Sequence, residues 1–228
     1  ILLASPMDMP FLLRFALEAI RWIDTKHCGQ ILVVPDGCSD DSGRALRAAA
    51  ADFNDPRLEI VEPRGRDAWL ARAMQSRGGS SIHWRCIVSG LKRVTREHVF
   101  LHDADAFHLE SEGIERQYDE CVRRGMDTRG VTARWDPFFR KIDYEIPGTW
   151  QMMFRTRWAQ RHAPLLHQGR LTKTPDGMNE FDTMLHPQYL DYPSGRIGVM
   201  SSPPRFVHFS GTIVTYRQFR NKAGRQVQ

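Results

Sequence analysis

In the first half of the sequence, short apolar runs alternate with segments that repeat apolar residues at helical spacing. The short runs are Ile1–Ala4, Ile31–Val34, Leu58–Val61 and Val99–Leu101. The segments with a helical period are Phe11–Ile23, Ala45–Phe53 and Ser81–Val94. Strands that alternate with helices in this way predict βαβ units and a mainly parallel sheet flanked by helices. The expected fold class is therefore α/β.

Polar residues follow three of these predicted strands. Ser5 and Pro6 come after the first strand, Asp36 after the second, and Asp103 and Asp105 after the fourth. Ligands of open parallel sheets collect at the carboxyl ends of the strands. We therefore expect these residues to share one edge of the sheet and to form a binding site there.

The segment Asp103-Ala104-Asp105 predicts a divalent metal site. Mg²⁺ and Mn²⁺ prefer carboxylate, water and phosphate oxygens, and the small side chain of Ala104 permits close approach of a ligand. A metal held by Asp103 and Asp105 can bridge two phosphates and stabilise a leaving nucleoside diphosphate. Surface loops also contain Asp-x-Asp by chance, but the apolar run before this one favours a site.

Asp36 has two interpretations. A carboxylate at a strand end can accept hydrogen bonds from a nucleobase N–H or a ribose hydroxyl. The alternative is a plain turn at Asp36, with Asp40, Asp41 or Ser42 capping the next helix. The residues alone leave both open.

Together these segments resemble glycosyltransferase family 2. Val33–Ser42 is similar to the family's VVDDGSTDDS segment, Phe100–Asp105 to its FLDAD metal motif, and Gly78–Leu91 to its GKGAALNAGL helix. The resemblance covers roughly the first half of the chain. It implies a GT-A (Rossmann-like) fold, a nucleotide-sugar donor and a divalent cation, Mn²⁺ or Mg²⁺.

The resemblance also assigns roles. Ser5 and Asp36 would contact the nucleoside, and Asp103 and Asp105 would serve the ribose, metal and diphosphate. Pro35 replaces the first Asp of the family's pair, and the basic residue usual after the helix-opening glycine is absent. Candidates to supply that positive charge are Arg77, His83 and Arg85.

The second half is less regular, and we expect it to bind the acceptor. We predict one GT-A domain over 1–228, with a nucleotide-sugar-binding half (1–107) and an acceptor-binding half (108–228). Gly177–Leu185 loosely resembles the acidic segment that supplies the general base in inverting members. An acceptor hydroxyl must lose a proton as it attacks, so Asp182 and Glu180 are candidate bases. The alternative is that these acidic residues only lie at a helix N-terminus, where the helix dipole favours negative charge.

Two further residues are candidates for the site. His208, followed by Phe209-Ser210-Gly211, resembles the late histidine that completes the metal site in several GT-A enzymes, mostly retaining ones. The alternative is a hydrogen-bonded histidine within a strand. Trp150 lies in Gly148–Arg155, which resembles a family segment near the bound sugar, and is a candidate for donor or acceptor contact. The stretch Ala163–Met178 is a candidate lid.

The expected activity is transfer of a sugar from a UDP or GDP donor to a hydroxyl acceptor. Inversion with a carboxylate base is the first expectation, and a retaining enzyme of the mannosylglycerate synthase type is the alternative. A sugar-phosphate nucleotidyltransferase would open with a glycine-rich basic loop, which Leu3–Pro10 lacks. A binding module without turnover is disfavoured because both metal carboxylates and two candidate bases are present.

Composition limits the partners. The chain has 32 Lys and Arg against 27 Asp and Glu, a net charge of +5. The basic-aromatic segment Tyr216–Lys222 has no accompanying nucleic-acid signature, so nucleic acid is disfavoured as a partner.

The 4 cysteines form no CxxC pair, which favours reduced thiols and a cytoplasmic location. No apolar run predicts a membrane span; peripheral membrane contact and the oligomeric state are left open.

Overall fold

A seven-stranded sheet is the centre of the computed structural model, which describes residues 1–5, 9–23, 25–36, 40–62, 65, 79–133, 144–162, 171–175, 177–209 and 211–226. The described strands are β1 (Leu2–Ser5), β2 (Ile31–Pro35), β3 (Leu58–Ile60), β4 (His98–Asp103), β5 (Ala106–His108), β6 (Thr128–Thr132), β7 (Pro147–Arg155), β8 (Leu171–Thr174), β9 (Gly177–Glu180), β10 (Ile197–Val199) and β11 (Phe206–His208). The described helices are α1 (Pro10–Trp22), α2 (Asp40–Phe53), α3 (Gly79–Leu91), α4 (Gly113–Arg123), α5 (Thr156–His162), α6 (Leu185–Asp191) and α7 (Thr212–Gln226).

The sheet has the strand order β10-β6-β7-β4-β1-β2-β3. The pairs β1–β2, β2–β3, β1–β4 and β6–β10 are parallel, and β7 runs antiparallel to β4 and β6. The sheet is thus mainly parallel and flanked by helices, which confirms the α/β prediction. Its strands come from both halves of the chain.

Helices cover both faces of the sheet, so its central strands are apolar on both sides. One core contains Leu2 and Leu32 and packs against Trp84 of α3 and Trp158 of α5. The other contains their sequence neighbours Leu3 and Val33, which point to the opposite face because successive strand residues alternate. All five residues of β2 are buried, as expected for a strand that is covered on both faces.

The carboxyl ends of β1, β2 and β4 meet at one edge of the sheet. Ser5 is level with Pro35, and Ala4 is level with Asp103. This register places the positions of Ser5, Asp36 and Asp103 along the same edge, as predicted. Pro6 lies outside the described residues.

One sequence prediction about this edge is wrong. Asp40, Asp41 and Ser42 are not caps that precede α2, because the helix already begins at Asp40. The helix extends further toward the sheet edge than the alanine-rich pattern indicated. Acidic residues are compatible with a first turn because the helix dipole places partial positive charge there.

Two small antiparallel ribbons accompany the main sheet. β5 pairs with β11, and β8 pairs with β9. Cys28, Cys86 and Cys121, the cysteines within the described residues, form no disulfide with one another. None of the described helices is long and apolar enough to cross a membrane.

Candidate metal and donor site

Three side chains that could hold a cation converge at the sheet edge: Asp103 and Asp105, which are close in sequence, and His208 from a distant part of the chain. Asp103 ends β4, a two-residue turn carries Asp105, and β5 begins immediately afterwards. The antiparallel pairing of β5 with β11 then sets His208 opposite Ala106. The backbone N–H of Phe209 donates to the carbonyl of Asp105 at 3.0 Å. The ribbon therefore delivers His208 to the two carboxylates.

The spacing of these groups suits a single cation. His208 Nε2 lies 3.4 Å from Asp105 Oδ1 and 3.8 Å from Asp103 Oδ2. One ligand atom from each of the three residues lies within 4.8 Å of the others. An octahedral cation with bonds of about 2.1 Å holds its ligands about 3 to 4.2 Å apart. Two carboxylates and an imidazole are also a donor set that Mn²⁺ accepts, so the residues fit a divalent metal.

His83 of α3 adds a fourth group. Its Nε2 atom is 3.3 Å from Asp103 Oδ1, and this buried nitrogen has no well-formed hydrogen bond among the described residues. Burial alone would lower the pKa of His83, but the charge of Asp103, with a smaller contribution from Asp182, holds that pKa above its usual value. Of the two described residues expected to supply positive charge, His83 lies beside Asp103 and Arg85 lies at the Asp36 carbonyl.

The charges within the cluster shift the pKa values of neighbouring side chains. Burial would raise the pKa of Asp103, but the neighbouring His83 and His208 lower it. Burial would lower the pKa of His208, but the hydrogen bond and charge of Asp105 raise it. Asp103 is therefore a carboxylate at neutral pH, as a metal ligand must be.

Trp150 supports His208 from β7. The indole lies parallel to the imidazole, with ring centroids 5.1 Å apart and an interplanar angle of 5°. Gly148 leaves room for this indole, since a Cβ atom there would lie 2.7 Å from Trp150 Nε1. The stacking fixes the plane of the His208 ring. Contact of Trp150 with a sugar stays a prediction.

Asp36 pairs with a residue that sequence reasoning did not identify. Arg217 of α7 reaches Asp36 Oδ2 at 2.8 Å, and Arg85 of α3 donates to the Asp36 carbonyl at 3.2 Å. The sequence marks Arg217 only as part of a basic-aromatic segment. No local pattern could have predicted this pair, because its members are 181 residues apart.

Ala104, between the two metal carboxylates, is a packing residue in the structure. It is 2% exposed and belongs to a small cluster with Met9 and Leu12. Ile213 and Tyr216 of α7 pack against this cluster. The C-terminal helix is therefore held directly against the turn that carries the candidate metal ligands.

The two candidate bases lie in different surroundings. Asp182 occupies the turn before α6, where its Oδ1 accepts a hydrogen bond from the Thr183 N–H at 2.7 Å. It is half-buried and close enough for its charge to act on His83. Glu180 ends β9 and is exposed, and no contact within the described part of the chain joins it to the cluster.

Some of the predicted site lies outside the described residues. This is the case for residues 163–170 and 176 of the candidate lid, and for Gly37 and Arg77.

Several solved structures that are similar to this chain are glycosyltransferases. No protein-family model and no curated protein matches the sequence. A mannosyltransferase from Pyrobaculum calidifontis matches with a TM-score of 0.57 and 16% identity over 88% of this chain and 54% of the other. TarS from S. aureus matches with a TM-score of 0.56 and 17% identity over 90% of this chain and 56% of the other. Glucosyl-3-phosphoglycerate synthase from Mycobacterium tuberculosis matches with a TM-score of 0.56 and 12% identity over 94% of this chain and 74% of the other.

These similarities establish the class of fold. The chain has the GT-A fold of nucleotide-sugar glycosyltransferases, as the sequence resemblance implied. It spans little more than half the length of the mannosyltransferase and of TarS. At such low identity the likeness extends to the fold and not to a particular substrate.

Proposed function

We propose that the chain is a metal-dependent glycosyltransferase that transfers a sugar from a UDP or GDP donor to a hydroxyl acceptor. The observation that carries the proposal is the convergence of Asp103, Asp105 and His208 within 4.8 Å at the ligand-binding edge of a GT-A sheet. The similar structures support it, because they contain GDP-Man with Mn²⁺, UDP-GlcNAc, and UDP with Mn²⁺.

The roles of the residues follow from their positions. Asp103, Asp105 and His208 hold the cation, which when bound stabilises the negative charge of the leaving diphosphate. Trp150 orients the His208 ring through stacking. Asp36 would contact the nucleoside together with Ser5 at the neighbouring end of β1. Pro6, the other residue predicted to bind there, lies outside the described residues.

Asp182 is the proposed general base. It is half-buried and its charge is felt by His83 across the cluster, whereas Glu180 is exposed. A carboxylate that accepts the acceptor's proton suits an inverting reaction, in which the hydroxyl attacks the anomeric carbon directly. The alternative is a retaining reaction, for which the resemblance of His208 to the late histidine of retaining GT-A enzymes is the supporting feature.

Ligand-dependent thermal stability tests this proposal against the nucleotidyltransferase alternative. With Mn²⁺ present, UDP or GDP should raise the melting temperature, because a ligand bound only by the folded state stabilises that state. At a concentration of about 100 times Kd the gain is about 2.7 kcal/mol. Stabilisation by a nucleoside triphosphate with a sugar phosphate, and not by a diphosphate, would contradict the proposal.

A pair of variants links this stabilisation to the site. Asp105→Ala should remove the metal-dependent shift, because it deletes one of the carboxylate ligands. Glu112→Gln removes an exposed carboxylate from the N-terminal side of α4 and serves as the matched control. If the two variants respond alike to Mn²⁺ and nucleotide, the cation is not bound at Asp105.

A further inference from the structure

The outer face of α1 carries aromatic side chains where a surface helix normally carries polar ones. Phe11, Phe15 and Trp22 are 42%, 61% and 58% exposed, whereas the opposite face of the helix buries Leu13, Ala16, Leu17 and Ile20. At about 100° per residue, the three aromatic positions fall within about 40° of one another around the helix axis. They therefore form a stripe along α1.

The C-terminal helix α7 extends this stripe. The Tyr216 ring lies 5.7 Å from that of Phe11, and Phe219, one turn later, is 71% exposed. The ring centroids of Phe11 and Phe15 are 6.5 Å apart in an edge-to-face arrangement. The rings of Phe15, Phe11 and Tyr216 thus form a row that joins the two helices, and Trp22 and Phe219 are further exposed aromatic residues on these helices.

This surface is also basic. The α7 sequence contains Arg217, Arg220, Lys222 and Arg225 and neither Asp nor Glu. These four positive charges compare with a net charge of +5 for the whole chain. On α1 the charges are balanced locally, because Arg14 pairs with Asp52 at 2.9 Å and Arg21 pairs with Glu18 at 3.0 Å. Most of the net positive charge of the chain therefore belongs to the α7 sequence, in which one arginine, Arg217, pairs with Asp36 at 2.8 Å.

We propose that the aromatic-basic surface formed by Phe11, Phe15, Trp22, Tyr216, Phe219 and Arg220 binds the anionic surface of a lipid bilayer. Aromatic rings at a helix surface insert into the boundary between headgroups and acyl chains. Basic side chains beside them are attracted to anionic lipids. The inference rests on exposure and charge and does not depend on the activity proposed above.

Charge complementarity favours a bilayer over a second copy of the chain. A twofold contact centred on this surface would bring two basic helices together, and like charges oppose such a contact. The exposed aromatic rings lie on the outer faces of two helices, whereas single-stranded nucleic acid is bound in a basic groove that follows its backbone. Because Tyr216 also packs against the cluster that contains Ala104, the surface would hold the metal edge of the sheet close to the membrane.

Vesicle co-sedimentation of the 228-residue chain tests the proposal. The chain should bind phosphatidylcholine vesicles that contain about one third phosphatidylglycerol, and binding should weaken in about 0.5 M NaCl. Vesicles of phosphatidylcholine alone should bind it at least tenfold more weakly. The double variant Phe15→Ser, Phe219→Ser and the charge reversal Arg220→Glu should each lower the partition coefficient at least tenfold.

Matched control variants distinguish vesicle binding through this surface from nonspecific binding by other exposed residues. Val122→Ser and Arg123→Glu change an exposed apolar residue and an exposed arginine on α4, and should leave vesicle binding unchanged. Equal loss in these controls would overturn the proposal, as would failure to bind anionic vesicles. The proposal would also be overturned if the aromatic variants abolish self-association or single-stranded RNA binding while vesicle binding persists.

Discussion

At the scale of single residues, the site depends on carboxylates with different surroundings. Asp103 faces His83 and His208 and is held as an anion. Asp182 has a hydrogen bond from the Thr183 N–H and lies within electrostatic reach of the same cluster. The first arrangement suits a metal ligand, and the second leaves one carboxylate oxygen available to a substrate hydroxyl.

The role of Asp182 as base can be tested with conservative variants. We expect Asp182→Asn to lower kcat by about 10² to 10⁴-fold, the usual contribution of general acid–base catalysis. The asparagine Oδ1 can still accept the Thr183 N–H, so the turn before α6 should keep its hydrogen bond. Donor binding and melting temperature should therefore change little. Steady-state kinetics and calorimetry measure the two effects.

Glu180→Gln is the comparison for that experiment. It removes the charge of an exposed residue in the same segment, and we expect near-normal turnover. The assignment is wrong if Glu180→Gln stops transfer while Asp182→Asn does not. NMR of the product reports the anomeric configuration and decides between inversion and retention.

At the scale of elements, α7 contacts both parts of the proposed donor site. Its Tyr216 side chain packs near Ala104, and Arg217 in the next position pairs with Asp36. The helix follows the turn after β11, the strand that carries His208. A single C-terminal segment therefore contacts both the candidate metal ligands and Asp36, the proposed nucleoside contact.

Arg217 is therefore expected to orient Asp36 for the nucleoside. Arg217→Ala should weaken binding of UDP or GDP by about 10-fold or more, since a charge-assisted hydrogen bond contributes about 1.5 to 3 kcal/mol. Arg217→Lys should recover part of this affinity. Calorimetric titration in the presence of Mn²⁺ measures the change.

A double-mutant cycle shows whether Arg217 acts through Asp36. The variant Arg217→Ala, Asp36→Asn should bind no more weakly than Asp36→Asn alone, because the two residues form one unit. Arg220→Gln changes an arginine about one helical turn further along α7, and is the control for a general loss of positive charge. Tighter nucleotide binding by Arg217→Ala would instead mean that the ion pair blocks Asp36.

The elements that could be predicted from sequence are those with a strong local pattern. The apolar run at Ile31–Val34 corresponds to β2, and the periodic segment Phe11–Ile23 corresponds to α1 within one residue at each end. The order of these elements was enough to predict which strand ends share an edge. Apolar patterning contains this information because each element buries a continuous face.

The ribbon of β5 and β11 could not be predicted in the same way. Each strand has three residues, and the pairing joins Ala106 to His208 across about half of the chain. His208 was found through its apolar neighbours and its resemblance to a late histidine, but its contact with Asp105 depends on the register of this ribbon. The pairing of Asp36 with Arg217 is likewise fixed only by the packing of α7.

At the scale of the whole molecule, neutral histidines buried near the sheet make folding sensitive to acid. His108 is 7% exposed, and its ring lies 3.1 Å from the amide nitrogen of Gln151 on β7. Burial, with a contribution from the nearby His102, lowers the pKa of His108 to about 3. His98 is shifted in the same direction, also chiefly by burial.

We expect His108 to cause a loss of stability as the pH falls below about 6.5, the pKa of a histidine in the unfolded chain. Between that value and about 3, the unfolded state binds a proton that the folded state does not, so the free energy of unfolding falls by about 1.4 kcal/mol per pH unit. At pH 5 the loss from His108 is about 2 kcal/mol relative to pH 8.

The variant His108→Gln tests this expectation. Its side chain cannot titrate, so it should flatten this part of the pH profile. Urea unfolding at pH 8, 6 and 5, in EDTA so that metal binding does not contribute, measures the difference between the two proteins. At pH 8 the histidine is neutral in both states, so any difference there reports only the packing change, and profiles that stay parallel down to pH 5 would rule out this role for His108.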